Sequence, residues 1–271
     1  MRRALSIGSV LLLAAAASAQ QDSFTITHNG WSFNQGGLRL SRISTGNGSA
    51  NLMAPATGNQ DHMFQNWFWY RTNFDTREYA LSNQTLASIG ADQALLRYLE
   101  PAGGIQDALR IELLYSIFGD NANTGSVEVR VDVKNLTDKT LTLNFFHYFD
   151  ADINGTAGSD RAEFNPARTI HAWEGDTNID FISFGDPPAW QIGPFATVRG
   201  LLTDTDVDNL NNSGSPFGPG DFTGAFQRTW TIDSQQTVTM LFAKSVNIVP
   251  EPASLLVLAA GLGLLARRRK R

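Results

Sequence analysis

Apolar and polar residues alternate along most of the chain. The strongest stretch is Val127-Glu-Val-Arg-Val-Asp-Val133, in which every second side chain is valine. On a pleated strand this sets four valines on one buried face and Glu128, Arg130 and Asp132 on the wet face. Turn chemistry follows in Asn135-Leu-Thr-Asp-Lys139, and residues 140–149 alternate again, so the pair predicts a β-hairpin with a short loop. Shorter runs of the same kind predict strands at 24–28, 38–43, 95–99, 168–173, 180–184, 195–202, 228–233 and 237–244. Segments 46–61 and 203–222 lack the pattern, are rich in Gly, Asn, Pro and small polar residues, and predict long loops. No helix is expected between the two ends of the chain, and no repeat of fixed period is present. Many short strands, with 24 glycines to turn them, predict an all-β fold, an antiparallel β-sandwich with long loops.

The two ends break the alternation. The first has Arg2 and Arg3, an apolar stretch, then Ala17-Ser18-Ala19. These are the three regions of a secretory signal peptide, with small side chains at Ala17 and Ala19 where signal peptidase reads. The expected cut after Ala19 separates a signal peptide, 1–19, from a sandwich domain, 20–248. The other end, 249–271, begins Val249-Pro250-Glu251-Pro252 and closes on Arg267, Arg268, Arg269, Lys270 and Arg271. Between them, residues 254–266 carry no charge. As a helix that run spans about 20 Å, against a hydrocarbon core of roughly 30 Å. Pro250 and Pro252 keep such a helix from running back into the domain, while the cations snorkel to the phosphates and lengthen its reach. Basic residues stay cytoplasmic, so the expectation is a single membrane helix with the domain outside.

In order, spacing and position, this tail resembles the PEP-CTERM sorting signal of Gram-negative bacteria. The same segment is also called the ice-binding protein C-terminal domain, a label for the tag that gives no ice affinity. The resemblance covers residues 249–271 alone. It implies that a membrane-embedded exosortase recognises the tail, cuts near Pro-Glu-Pro and passes the protein from the inner membrane to the cell surface. It also implies a setting of exopolysaccharide and biofilm. An uncut anchor helix is the alternative.

Charge and composition narrow the partners. The chain has 21 Lys+Arg against 26 Asp+Glu; without Arg2, Arg3, the five C-terminal cations and Glu251, 14 stand against 25. A domain at −11 repels phosphates, which excludes nucleic acid and anionic lipid as partners of the mature protein. There is no cysteine, so the exported domain depends on core size alone, and thiol chemistry is excluded. The four histidines, His28, His62, His147 and His171, are scattered and give no zinc motif.

Three candidate sites emerge. Asp150-Ala-Asp152-Ile-Asn154-Gly155 matches the first half of a calcium loop, with oxygens at alternate positions and a glycine for the sharp turn. Its second half departs from the pattern, since Arg161 stands where a bidentate Glu belongs and Asp160 precedes it. A polar strand end with an Asn-Gly turn reads the same way. No cofactor is required, but Ca2+ is a candidate ligand of Asp150, Asp152, Asn154 and Asp160. Asp204, Asp206 and Asp208 repeat the spacing in a long loop, without the glycine. In Met63-Phe-Gln-Asn-Trp67-Phe-Trp69-Tyr-Arg71, one strand face holds Gln65, Trp67, Trp69 and Arg71. Such a stripe suits stacking on extracellular polysaccharide; burial on both faces is the commoner use of it. Glu112, Glu128, Glu163 and Glu174 offer carboxylates for glycoside chemistry but nothing pairs them, and no Gly-x-Ser-x-Gly is present. The expectation is a non-enzymatic, exported surface or matrix protein that binds carbohydrate or calcium; the alternative is a secreted polysaccharide-active enzyme.

Overall fold

A computed structural model describes residues 20–43 and 48–249. Strands β1 (Ser23–His28), β2 (Trp31–Gly36), β3 (Ala50–Ala54) and β4 (Gln60–Asp61) form a small antiparallel sheet in chain order. Then come β5 (Gln65–Thr72), β6 (Tyr79–Ala80), β7 (Gln84–Ile89), β8 (Gln93–Ala102), β9 (Ile105–Asn121), β10 (Thr124–Asn135) and β11 (Leu141–Asp150). The chain continues through β12 (Asp160–Asn165), β13 (Thr169–Glu174), β14 (Thr177–Ser183), β15 (Ala189–Pro194) and the helix α1 (Phe195–Thr203). It closes with β16 (Phe217–Gly220), β17 (Phe222–Ile232) and β18 (Thr237–Ile248). A nine-stranded sheet runs β16-β12-β13-β14-β18-β10-β9-β8-β7, and a five-stranded sheet runs β15-β17-β11-β5-β6. The architecture is an all-β, antiparallel sandwich. No helix among the described residues is long and apolar enough to cross a membrane. The signal peptide with Ala17 and Ala19, and the tail from Pro250 onward, lie outside the described residues.

The alternating valines of β10 behave as their period dictates: Val127, Val129, Val131 and Val133 are fully buried while Arg130 is exposed. The expected hairpin of 127–133 with 140–149 does not form. β10 pairs with β9 and β18, and β11 pairs with β5 and β17 in the other sheet. The turn residues instead carry the chain across the sandwich. Asn135 pins this crossing, donating to the carbonyls of Lys139 at 2.7 Å and Ile232 at 3.0 Å and accepting from the Thr137 amide at 2.9 Å.

Other expectations also shift. Residues 195–202 form α1 and not a strand, because Val198 and Leu202, four apart, bury one helical face. Residues 38–43 form turns, with only Leu38 of the run fully buried. Residues 46–61, expected as loop, contain β3 and β4; of 203–222, also expected as loop, 204–216 is the long loop and 217–220 forms β16.

The core lies between the two large sheets. Phe145, His147 and Phe149 of β11 and Phe68 of β5 point inward. Phe149 stacks on Phe181 of β14 with ring centroids 3.9 Å apart, and His147 meets Phe242 of β18 at 4.7 Å. Gly224 of β17 stands opposite Phe149, and a Cβ there would lie 2.5 Å from the ring, so glycine makes room for the stack. The β1–β4 sheet closes one end, where Phe24 and Phe33 pack on Tyr115 and the Trp31 indole donates to the Asn121 carbonyl.

One cation is trapped in this core. Lys244 of β18 is fully buried, makes no ion pair among the described residues, and places Nζ 3.4 Å from His147 Nε2. Burial pushes its ammonium down from 10.5 to about 7. The same burial, together with the Lys244 charge, holds His147 well below the usual imidazole range. A lysine depressed in the fold keeps its proton more readily in the unfolded chain, so stability falls as pH drops from about 10.5 to about 7 and the penalty is constant below. Lys244→Met is therefore expected to raise the melting temperature most at pH 6 to 7, with the gain shrinking toward pH 10. Thermal melts of both proteins across that range check it; a gain that grows with pH would contradict the assignment.

Candidate functional site

The outer face of the five-stranded sheet carries Trp67, Trp69 and Arg71 of β5 beside Phe146 and Tyr148 of β11. Trp67 and Trp69 are at most 1% exposed. Trp69 meets Tyr148 edge-on at 5.7 Å and Trp67 meets Tyr98 at 6.3 Å. Both indoles are core residues, with no ring face open to a sugar. Two-sided burial wins because this sheet is covered on its outer side as well.

Part of that cover is the loop after α1, and Arg71 holds it down. The Arg71 guanidinium is buried, pairs with Glu78, and donates to the Asp208 carbonyl at 2.7 Å and to Asn209 Oδ1 at 2.8 Å. Glu78 in turn accepts from the Asp208 amide at 3.1 Å. Burial pushes the Glu78 carboxyl up to about 7, against the pull of Arg71. Arg71 thus latches a loop and does not reach solvent hydroxyls. Asp204 and Asp206, on the same loop, are exposed, and Asp208 is half-buried.

Beyond the latch the cover stops short, leaving a pocket of about 350 Å³ at the β15–β17 edge. Its walls include Asp186, Asn209, Leu210, Gln227, Arg228 and Trp230. Gln227 is fixed from three directions: it donates to Asn209 Oδ1 at 2.7 Å and Asn144 Oδ1 at 3.0 Å, and accepts from the Leu210 amide at 2.8 Å. Arg228 donates to the Asp186 carbonyl and lies 5.1 Å from the centre of the half-buried Trp230 ring. Because Gln227 and Arg228 are consecutive on β17, the amides border the pocket from one face of the sheet and Arg228 and Trp230 from the other, around the free edge of the strand. An aromatic body, amides and one guanidinium are groups that small polar-ligand sites use. The sequence pattern gave no sign of the pocket, since its walls come from segments far apart in the chain.

A second cluster forms where β11 ends. Asp150, Asp152 and Asp221 bring carboxylate oxygens within 4.8 Å of one another. Asp150 is 1% exposed and neither of its oxygens has a hydrogen-bond partner. Burial pushes its carboxyl up to about 9, helped by the charges of Asp221, Asp152 and Asp160, while Arg199 of α1 opposes the shift. Asp160, fully buried with unpartnered oxygens, rises to about 8, again chiefly by burial, with Glu174 and Asp152 next and the Ile153 amide acting the other way.

Of the four residues of the expected calcium loop, Asp150 and Asp152 meet and Asp160 stands within their field. Asn154 turns away: it donates to the Glu174 carbonyl at 3.1 Å and accepts from Thr177 at 2.8 Å. Asp221, at the β16–β17 junction, takes its place, a partner no local spacing could reveal. Val249, the first residue of the expected sorting motif, is exposed just beyond β18, its amide bonded to the Asp176 carbonyl. Pro250, Glu251, Pro252 and Arg267 to Arg271 lie outside the described residues. Among the glutamates, Glu112 is tied to Arg97 at 2.7 Å.

No family model matches the chain, and no curated protein is similar to it in sequence. Solved structures are similar in fold. A bacterial glucoamylase complexed with acarbose matches with a TM-score of 0.51 and 11% identity over 90% of this chain. A galactose mutarotase-like protein from Lactobacillus casei ATCC 334 gives 0.50 at 9% identity, covering 83% of this chain and 100% of that one. A GalM/aldose epimerase homologue from C. elegans gives 0.50 at 7% identity, covering 84% and 99%. The chain spans only 34% of the glucoamylase. The β-sandwich is thus one that carbohydrate-active proteins also use.

The latch makes a prediction of its own. Arg71→Ala strands Glu78 in the interior and is expected to cost about 3–5 kcal/mol. It should also make residues 204–213 the first site of limited proteolysis. Arg71→Met combined with Glu78→Leu should regain most of the stability while the loop stays protease-sensitive, because the bonds to Asp208 and Asn209 are still missing.

Proposed function

We propose that the protein is an exported cell-surface or extracellular-matrix protein that binds carbohydrate without transforming it. The observation that carries this reading is the pocket in which the half-buried Trp230 stands among Asn209, Gln227 and Arg228. An indole supplies apolar contact to a sugar ring, and held amides and a guanidinium orient its hydroxyls. The names of the glucoamylase and of the mutarotase-like and epimerase-like proteins, all sugar chemistry, support the same ligand class. The second reading, a polysaccharide-active enzyme, draws on those names too. A two-carboxylate glycosidase needs paired acids, and Asp186 is the one acid among the pocket's walls.

Delivery rests on the ends of the sequence. The basic, apolar and Ala-x-Ala regions support cleavage by signal peptidase, and the PEP-CTERM-like tail supports sorting by an exosortase in a Gram-negative host.

Two measurements test the proposal. A glycan array probed with residues 20–249, which contain the whole sandwich, is expected to give a defined set of polysaccharide ligands. Trp230→Ala should weaken that binding by about tenfold or more, roughly 1.4 kcal/mol. Because Trp230 also packs against the core, the variant's melting temperature should fall, and binding is compared at a temperature where both proteins are folded. An array without signal, or Trp230→Ala binding as the parent does, would overturn the pocket's assignment, and turnover of a bound glycan would favour the enzyme. In cells, deleting residues 267–271 should reduce membrane retention and processing; normal processing and display would contradict the sorting reading.

A further inference from the structure

The register of the sheets forces four carboxylates to one corner. Asp150, the last residue of β11, is paired with Thr223 of β17. Asp160, the first residue of β12, is paired with Gly220 of β16. Asp221 sits between those two partners, where the chain leaves the nine-stranded sheet and enters the five-stranded one. Asp152 stands two residues beyond Asp150, in the turn that leads away from β11. The corner is therefore built from the rims of both sheets.

Two of these carboxylates are sealed from water with no well-formed hydrogen bond, although the Ile153 amide lies near Asp160. Asp150 and Asp160 are 1% and 0% exposed, and all four of their oxygens lack a hydrogen-bond partner. A buried carboxylate without a donor is among the costliest groups a fold can carry. Donors that satisfy carboxylates elsewhere in this protein are turned to other work here. Asn154 is engaged with Glu174 and Thr177, and the His62 ring accepts from the Asn154 amide. Other charges facing the corner are Asp61 toward Asp152, Glu174 toward Asp160 and Arg199 of α1 toward Asp150, so acids outnumber cations on every side.

We propose that Asp150, Asp152 and Asp221 bind a divalent cation, Ca2+, with the buried Asp160 reinforcing the field, and that the ion staples the two sheets at this corner. Three ligating oxygens already lie within 4.8 Å of one another, as atoms around one ion do. The donors are hard carboxylates, with no imidazole or thiol in the group, which selects calcium over zinc or copper. Ligands contributed by a strand end, a turn and a strand junction suit the irregular coordination of Ca2+ better than the strict octahedron of Mg2+.

The test is cation titration of residues 20–249 after removal of metals with EDTA, followed by calorimetry and by thermal melts. One equivalent of Ca2+ should bind and raise the melting temperature by several degrees, with Mg2+ markedly weaker. Tb3+, a calcium mimic, should show sensitised emission from the neighbouring Tyr148 and Trp69 that Ca2+ quenches by displacement. Asp221→Asn and Asp152→Asn should each weaken Ca2+ by roughly tenfold or more. Asp150→Asn gives the sharpest sign: in EDTA it should melt at or above the parent, since it replaces an unpartnered buried carboxyl by a neutral amide of the same shape, and it should gain nothing from Ca2+. No heat, no shift at millimolar Ca2+ and no Tb3+ emission would overturn the proposal. So would a Ca2+ shift that survives unchanged in Asp221→Asn, or equal affinity for Mg2+. Sugar binding at Trp230 is read separately, so failure of either site leaves the other standing.

Discussion

Phe149 of one sheet lies flat on Phe181 of the other, and beside them Phe68 and His147 meet Phe242. These contacts press β5 and β11 onto β14 and β18, and they use up the inner face of the five-stranded sheet. Its outer face is nearly as apolar, with Trp67, Trp69, Phe146 and Tyr148. Leaving that face wet would forfeit the hydrophobic gain of four large rings. The cover supplied by α1 and the loop after it follows from that constraint. The pocket lies where β15 ends and β17 runs on, with Gln227 on the outer face of the sheet beside Asn144 and Trp230 on the face shared with Leu143.

Burial on this scale traps polar groups, and the fold settles each by a different route. Lys244, pushed down to about 7 by burial, gives up its proton far more readily than an exposed lysine and sits beside His147. Arg71 and Glu78 neutralise one another and, in doing so, gain a second role as a loop latch. Asp150 and Asp160 have carboxyl oxygens without a hydrogen-bond partner, and the acids around them outweigh the Arg199 charge and the Ile153 amide that act the other way. Protonation or an ion from solution are the remaining ways to satisfy such a corner.

Strand content was legible in Val127 to Val133, where one face alone is buried and a period of two reports it directly, but not in β2, β3 or β9, whose burial alternates too while their sequences mix polar and small residues among the apolar ones. It was not legible which sheet a strand joins. The Asn135 crossing has ordinary turn residues, and only tertiary hydrogen bonds to Ile232 make it an arch between sheets. Residues 195–203 were ambiguous for another reason: Phe195, Val198, Leu201 and Leu202 fit a helical face, but the window is too short to decide against a strand. Half of the acidic site was visible as Asp150 and Asp152, and the other half was hidden, since Asp221 arrives through strand register from far along the chain. The aromatic stripe of β5 misled because stacking platforms and two-sided burial draw on the same residues.

The chain leaves the described sandwich from β18, and that strand is interior to the largest sheet. It is bonded to β10 from Thr124↔Asn247 to Lys134↔Thr237, and to β14 from Thr177↔Ile248 to Ser183↔Phe242. A tug on the C-terminal end along the strand loads both ladders in shear, so many hydrogen bonds must fail together; an edge strand pulled sideways would unzip one bond at a time. Whatever the tail is fastened to, the domain is gripped at one of its mechanically strongest strands.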